Sequence, residues 1–312
     1  MPALTHVPDF YVVGAPRCGT TALCRYLARN PQVCFSRPKE PHYFAQLTDL
    51  PTAEELQRDY LDRCFPHHSE KHRVVGEGSV SYLHLPDTLR KIVHFNPAAR
   101  FLAMLRNPLT MLPSYHQRMR YLLQEDEADF EAAWNLEPLR KENEKIPPRC
   151  VDSRLLLYSE MARYGAQIDR LFEIAGRERT KIIVFDDFVS EPLAVYQEVL
   201  SFLGVDYDGQ TEFERRYKGR MYRVRWLQRM LFVPAVDGGK FGETLQRRRR
   251  KYNEDGSKAP SLIKKVARLN QVWVSPTPLT ARMASVVSES LRPDVEHLSN
   301  LLGRDLTRWL AA

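Results

Sequence analysis

The sequence predicts an α/β protein: a central parallel sheet flanked by helices, with a loop of the phosphate-cradling kind at one strand end. Three observations predict it. The apolar run "FYVVG" at 10–14 leads into a turn bounded by Gly14 and Gly19, and a helical stretch follows directly. Further strand-like runs alternate with helical ones, the pattern of a parallel sheet covered on both faces. Two turns, after Gly14 and around Arg106–Pro108, fall at the carboxyl ends of predicted strands, where such folds bind ligands.

The elements follow in order. "TTALCRYLARN" at 20–30 reads as the first helix and "QVCFS" at 32–36 as a short second strand. Thr52 and Glu55 have capping-box spacing and should start a helix that runs to about residue 65. "RVVGEGS" at 73–79 is a strand, and Pro86 opens a helix to about residue 95. "RFLAMLR" at 100–106 is a strongly apolar strand, followed from Pro108 by a helix to about residue 123. Residues 124–150 are charged and proline-bearing, and are expected to form a surface insertion. One long amphipathic helix is expected over 152–175, a strand over 180–188, and a helix from Pro192 closed by Gly204. From about residue 212 to 280 the pattern is irregular and basic, an extension of the same single domain, and regular helix returns near Pro293.

Composition bounds the class. The chain has 312 residues, 43% hydrophobic and 27% charged, as in ordinary globular proteins. The five cysteines are odd in number and none pair as C-x-x-C, so neither a disulfide framework nor a zinc site is indicated. No apolar run approaches the ~20 residues of a membrane span, and residues 1–10 lack a signal-peptide pattern. A cytoplasmic location is the expectation. The net charge of +7 is concentrated: residues 215–268 hold seventeen Lys/Arg and four acids, a local net of +13. Such a segment suits either an anionic partner or a solvated loop.

The loop itself poses a chemical question. A glycine-rich turn between strand and helix aims backbone amides and a helix N-terminus at an anion. Where a Walker loop carries lysine, this chain has Thr20, and Arg17 lies inside the loop. A sulfate ester keeps one negative charge where a terminal phosphate keeps about two. A loop without the lysine therefore suits sulfuryl transfer without a metal.

At this point the residues resemble a known family. "VVGAPRCGTTALCRYL" is similar to the 5′-phosphosulfate loop of sulfotransferases that use 3′-phosphoadenosine 5′-phosphosulfate (PAPS), in the bacterial branch related to heparan sulfate sulfotransferases. The resemblance covers about 10–309, apart from 124–150 and parts of 233–280. It assigns Pro16, Arg17, Cys18, Gly19, Thr20 and Thr21 to the donor loop, although animal members usually have lysine at the position of Arg17. "KEPHYF" resembles the family's catalytic segment and implies Glu40 as base, with Lys39 and His42 beside it. "RFLAMLRNPLTMLPSYHQ" resembles the 3′-phosphate site and implies Arg106 and Ser114. "YKGRMYRVRWLQ" resembles a loop closing over the nucleotide and implies Lys218, Gly219 and Arg220, and "LRPDVEHLSNLLGRDLTRWL" resembles the C-terminal signature. "GEGSVSYL" would place Glu77, Ser79 and Tyr82 at the acceptor cleft, with Val80 where proline is usual.

The resulting expectation is in-line sulfuryl transfer from PAPS to a hydroxyl or amine, with Glu40 as base and no metal. A carboxylate within hydrogen-bond reach is a reasonable base, especially if burial raises its pKa toward neutrality. The acceptor, a small molecule or glycan of acidic or amphipathic character, is left open, and peripheral membrane contact is compatible with the basic segment. Two rivals stand beside this. A kinase would use "VFDDF" as a Walker B strand, with Asp186 and Asp187 at a metal; a basic nucleic-acid binder would use 215–268, but no recognised module is present. Last, 223–233 puts Trp226, Leu227, Met230 and Leu231 on one stripe, with Arg225, Gln228 and Arg229 off it. Packed inward, the helix is structural. Turned outward, it is a basic lid over the acceptor, with Arg247 to Lys251 adding salt-sensitive attraction.

Overall fold

The computed structural model of the chain describes residues 4, 7–214, 219–231 and 261–311. They fall into two compact units. One unit draws on Met1–Asn107, Tyr164–Arg215 and Asp294–Thr307, the other on Pro108–Arg163, Arg216–Pro293 and Arg308–Ala312.

The first unit is built on five parallel strands: β1 (Phe10–Gly14), β2 (Val33–Phe35), β3 (Val74–Glu77), β4 (Arg100–Leu105) and β5 (Thr180–Val184), in the order β2-β3-β1-β4-β5. β1 is buried along its whole length, which is why its sequence runs apolar without alternation. From β1 the chain crosses to β2 and β3 on one side, then returns to β4 on the other. The carboxyl ends of β1 and β4 thus flank a topological switch point, where open α/β sheets bind ligands. Helices Thr20–Leu27, Pro86–Phe95 and Pro192–Leu203 keep the predicted starts. Gly204 ends the last of these at φ 70°, a conformation that favours glycine. The Thr52–Glu55 capping box is present, with its helix continuing through a π turn to Cys64.

The second unit is mostly helical. It contains the Pro108–Tyr121 helix and an antiparallel pair, β6 (Gly219–Tyr222) and β7 (Gln271–Val274). Among the described residues no helix is long and apolar enough to cross a membrane.

Four expectations change. Residues 124–150 do not merely run over the surface: Glu125 and Arg140 have fully buried side chains and pair bidentately at 2.8 and 2.9 Å. The Tyr158 hydroxyl also donates to Glu125, so the buried charges are compensated. The helix expected over 152–175 is three pieces, Ser153–Leu156, Tyr158–Ala162 and Tyr164–Ala175. Its breaks are held by remote carboxylates: Glu137 accepts from the Ser159 amide at 2.6 Å, and Asp294 from the Gly165 and Ala166 amides at 2.7 and 3.0 Å. These acceptors satisfy helix-start amides that would otherwise pair within a continuous helix. β5 stops at Val184, and Phe185–Ser190 is helical. The last long helix begins at Ala281, with Pro293 inside it.

Candidate active site

The loop after β1 is shaped by its glycines. A side chain at Gly14 would stand 2.7 Å from Leu83 Cβ, and one at Gly19 2.9 Å from the Phe185 ring. Gly19 has φ 91° and Arg17 has φ 64°, both left-handed. Left-handed residues in a tight strand-to-helix turn are the backbone setting of anion-binding concavities. The Thr20–Leu27 helix opens at Gly19 without a side-chain cap, so its positive end faces the loop. Thr20 is buried and Thr21 exposed.

Cys18 faces inward. Its thiol donates to the Pro16 carbonyl (3.4 Å) and lies 3.6 Å from the Tyr164 hydroxyl. Burial pushes it up to about 12, against the pull of Tyr164 and of the Arg106 and Arg17 charges. It is a neutral packing thiol at physiological pH. Arg106 follows β4, donates to the Arg17 carbonyl at 3.4 Å and lies 4.8 Å over the Phe185 ring. Two arginines therefore stand at the carboxyl ends of neighbouring strands.

The segment after β2 brings Lys39, Glu40 and His42 together. Lys39 Nζ donates to Glu40 Oε1 at 2.6 Å, and His42 Nε2 lies 3.6 Å from Glu40 Oε2. The Glu40 side chain is 34% exposed. The condition that would make Glu40 a stronger base is not met in the free chain. Burial pushes the Glu40 carboxyl up, but His42 and Lys39 more than offset it and hold Glu40 at about 2. Cys24 in the first helix and Lys39 both border Gly78, where a side chain would stand 2.7 Å from Cys24 Sγ and 3.4 Å from Lys39 Cε, so this cluster lies beside the helix that the phosphate loop feeds.

His42 is fixed from behind. It sits at φ 52°; its amide donates to Ser79 Oγ at 3.0 Å and its Nδ1 is 2.7 Å from Ser81 Oγ. The Ser79 hydroxyl donates to Glu77, leaving its lone pairs for His42, and Tyr60 donates to the other Glu77 oxygen. Glu77 is completely buried. Burial raises its pKa, while the Ser79, Tyr60 and Tyr82 hydroxyls hold it down. Glu77, Ser79 and Tyr82 thus support the Glu40–His42 turn from below. Tyr60 had no sequence signal, and Ser81, inside "GEGSVSY", was not singled out there.

Asp187 is paired with Arg304, one of the two bonds at 2.8 Å. It anchors the helix after β5 and is not placed as a Walker B aspartate. Ser114 lies in the second unit, buried about two turns into the Pro108–Tyr121 helix. Gly219 is there too, buried against Gln117 where a side chain would collide. Arg220 is exposed, its guanidinium 5.1 Å over the Trp273 ring. Lys218 lies outside the described residues, as do Arg247 to Lys251.

The expected stripe on 223–233 is also turned. Gln228 of the Arg225–Leu231 helix is buried, while Trp226 and Met230 are exposed. The Gln228 amide donates to the Tyr121 carbonyl at 2.9 Å and accepts from Asn270 at 3.2 Å, which draws the polar side inward.

Comparison with known proteins matches residues 7–222 to the family model described as "Sulfotransferase domain". The chain is 28% identical over 148 residues to human carbohydrate sulfotransferase 15, covering 35% of this chain and 26% of that protein. It is 24% identical over 217 residues to mouse bifunctional heparan sulfate N-deacetylase/N-sulfotransferase 4, covering 64% of this chain and 22% of that protein. The match thus spans about a quarter of the length of these relatives. A solved sulfotransferase structure from Alicyclobacillus acidocaldarius superposes with a TM-score of 0.64 at 25% identity, covering 97% of this chain and 98% of that one.

Proposed function

The chain belongs to the sulfotransferase domain family, and from that membership we propose that it transfers a sulfuryl group from PAPS to a hydroxyl or amine of an acceptor. One observation carries the reading beyond membership: the Lys39–Glu40–His42 cluster lies beside the helix fed by the loop that holds Arg17, whose carbonyl accepts from Arg106 at the end of β4.

In the proposed step the acceptor atom attacks sulfur in line with the bridging oxygen. A bond from acceptor to sulfur forms, the sulfur–oxygen bond to the 5′-phosphate breaks, and the electron pair leaves with adenosine 3′,5′-bisphosphate. The acceptor proton passes to Glu40. Arg17, Thr20, Thr21 and the loop amides oppose the charge that develops on the sulfonate and the leaving phosphate. The family resemblance assigns Arg106 and Ser114 to the 3′-phosphate and Lys218, Gly219 and Arg220 to the nucleotide. No metal takes part.

A carboxylate held at about 2 is a weak base. Lys39 supplies the remedy. In the free chain it rests on Glu40; a sulfonate in the loop competes for it. As Lys39 turns to the sulfonate, His42 alone is left to oppose burial and the Glu40 pKa climbs. Because the named relatives include a carbohydrate and a heparan sulfate sulfotransferase, a glycan is the acceptor class proposed.

The test is transfer of label from radiolabelled PAPS to a panel of glycan, phenol and amine acceptors. Labelled product is expected, at full rate in EDTA. Dependence on magnesium and a nucleoside triphosphate, with no transfer from PAPS, would replace this reading with a kinase.

A further inference from the structure

The Arg225–Leu231 helix has an outer face that the transfer chemistry does not use. Taken at 100° per residue, Arg225, Arg229, Trp226 and Met230 occupy one continuous arc of the helix. All four are exposed, Trp226 at 64% and Met230 at 66%. The opposite side is tied down. Besides the Gln228 bonds to Tyr121 and Asn270, Asn270 brackets Val224 at the helix start, accepting from its amide at 2.8 Å and donating to its carbonyl at 3.2 Å. The outward turn is therefore built in by buried hydrogen bonds.

The two segments that carry this helix and the β6–β7 pair are charged with one sign. Residues 219–231 and 261–274 contain seven Lys/Arg and no Asp or Glu. Arg149 adds another cation, donating to the Arg229 carbonyl at 3.2 Å. Among the described residues, neither Arg225 nor Arg229 forms an ion pair. Neighbouring segments add exposed apolar side chains, Leu269 and Trp273.

We propose that this helix face docks the chain on an anionic lipid surface. The cations match the charge of acidic headgroups. Tryptophan and methionine on the same arc match the headgroup–acyl boundary, where indole rings concentrate and short amphipathic helices insert shallowly. A soluble polyanion would use the arginines and leave Trp226 and Met230 facing water without gain. The helix thus binds by charge first and by shallow apolar insertion second.

The experiment uses the full chain and vesicles of phosphatidylcholine with or without phosphatidylserine, read by co-sedimentation. Binding to the phosphatidylserine vesicles is expected, falling as salt rises, with none to pure phosphatidylcholine. Arg225→Gln with Arg229→Gln should weaken it roughly 25-fold, from about fivefold per cation. Trp226→Ser with Met230→Ser should weaken it at least about tenfold at unchanged melting temperature, because both side chains are exposed. Brominated lipid should quench a fluorescence component that Trp226→Phe removes. Unaltered vesicle binding in both double variants overturns the proposal, as does absence of binding to the anionic vesicles. Salt-sensitive retention on heparin without vesicle binding overturns it in favour of a soluble polyanion.

Discussion

Lys39→Met should raise the Glu40 pKa, and the structure gives the size. In the free protein Glu40 stands at about 2 because His42 and Lys39 together exceed the effect of burial. Lys39 is the nearer partner, at 2.6 Å against 3.6 Å for His42. At an effective dielectric near 20, two unit charges even about 4 Å apart interact by about 4 kcal/mol. Glu40 is 34% exposed, and screening brings a realistic rise to about one to two pKa units. The Glu40 pKa is lowered in the folded chain, so its stabilisation is fully present above the unfolded value near 4.3 and is lost as pH falls toward about 2. Discounted for exposure, that contribution is about 1 kcal/mol. In Lys39→Met the loss should begin at higher pH. Carbon-13 titration of the Glu40 carboxyl, compared between the wild type and Lys39→Met, reads the midpoint directly. A midpoint that stays near 2 in the variant would refute the reasoning and leave His42 as the group that sets it. The same variant should hold Glu40 at its raised pKa with or without the product nucleotide, whereas the wild-type value should rise when a sulfonate analogue enters the loop.

Three further outcomes follow from the same geometry. Glu40→Gln should lower turnover by roughly 10²–10⁴ while leaving donor affinity nearly intact; single-turnover assays and product-nucleotide binding separate the two, and near-normal turnover removes Glu40 from the mechanism. Adenosine 3′,5′-bisphosphate should raise the melting temperature well beyond adenosine 5′-monophosphate, because Arg106 and Ser114 are assigned to the 3′-phosphate; equal stabilisation would end that assignment. Glu125→Ala should cost about 3–5 kcal/mol, since it strands the buried Arg140 guanidinium; denaturant unfolding measures it, and a loss under about 1 kcal/mol would show that water reaches the pair.

What the sequence determined by itself was whatever depends on neighbours along the chain. The β1–loop–helix unit was legible because Gly14, Gly19 and the β-branched run act within a dozen residues. The Thr52–Glu55 box, the start at Pro86 and the stop at Gly204 were legible for the same reason: caps and φ restrictions are local. The order of motifs also brought Lys39, Glu40 and His42 forward as a set. The tertiary structure decided what those residues are. Whether Glu40 is raised or lowered depends on how burial balances against His42 and Lys39, a balance of distances that composition does not carry. Tyr60 reaches Glu77 across 17 residues and Arg304 reaches Asp187 across 117, and these partners make one acid a support and the other an anchor. The 223–233 stripe shows the same limit. Periodicity located a two-sided helix, but a bond from Gln228 to the Tyr121 carbonyl, 107 residues away, chose which side turns in. Leaving that buried carbonyl without a donor would cost about 1–3 kcal/mol, and where such a carbonyl stands is set only when distant segments meet.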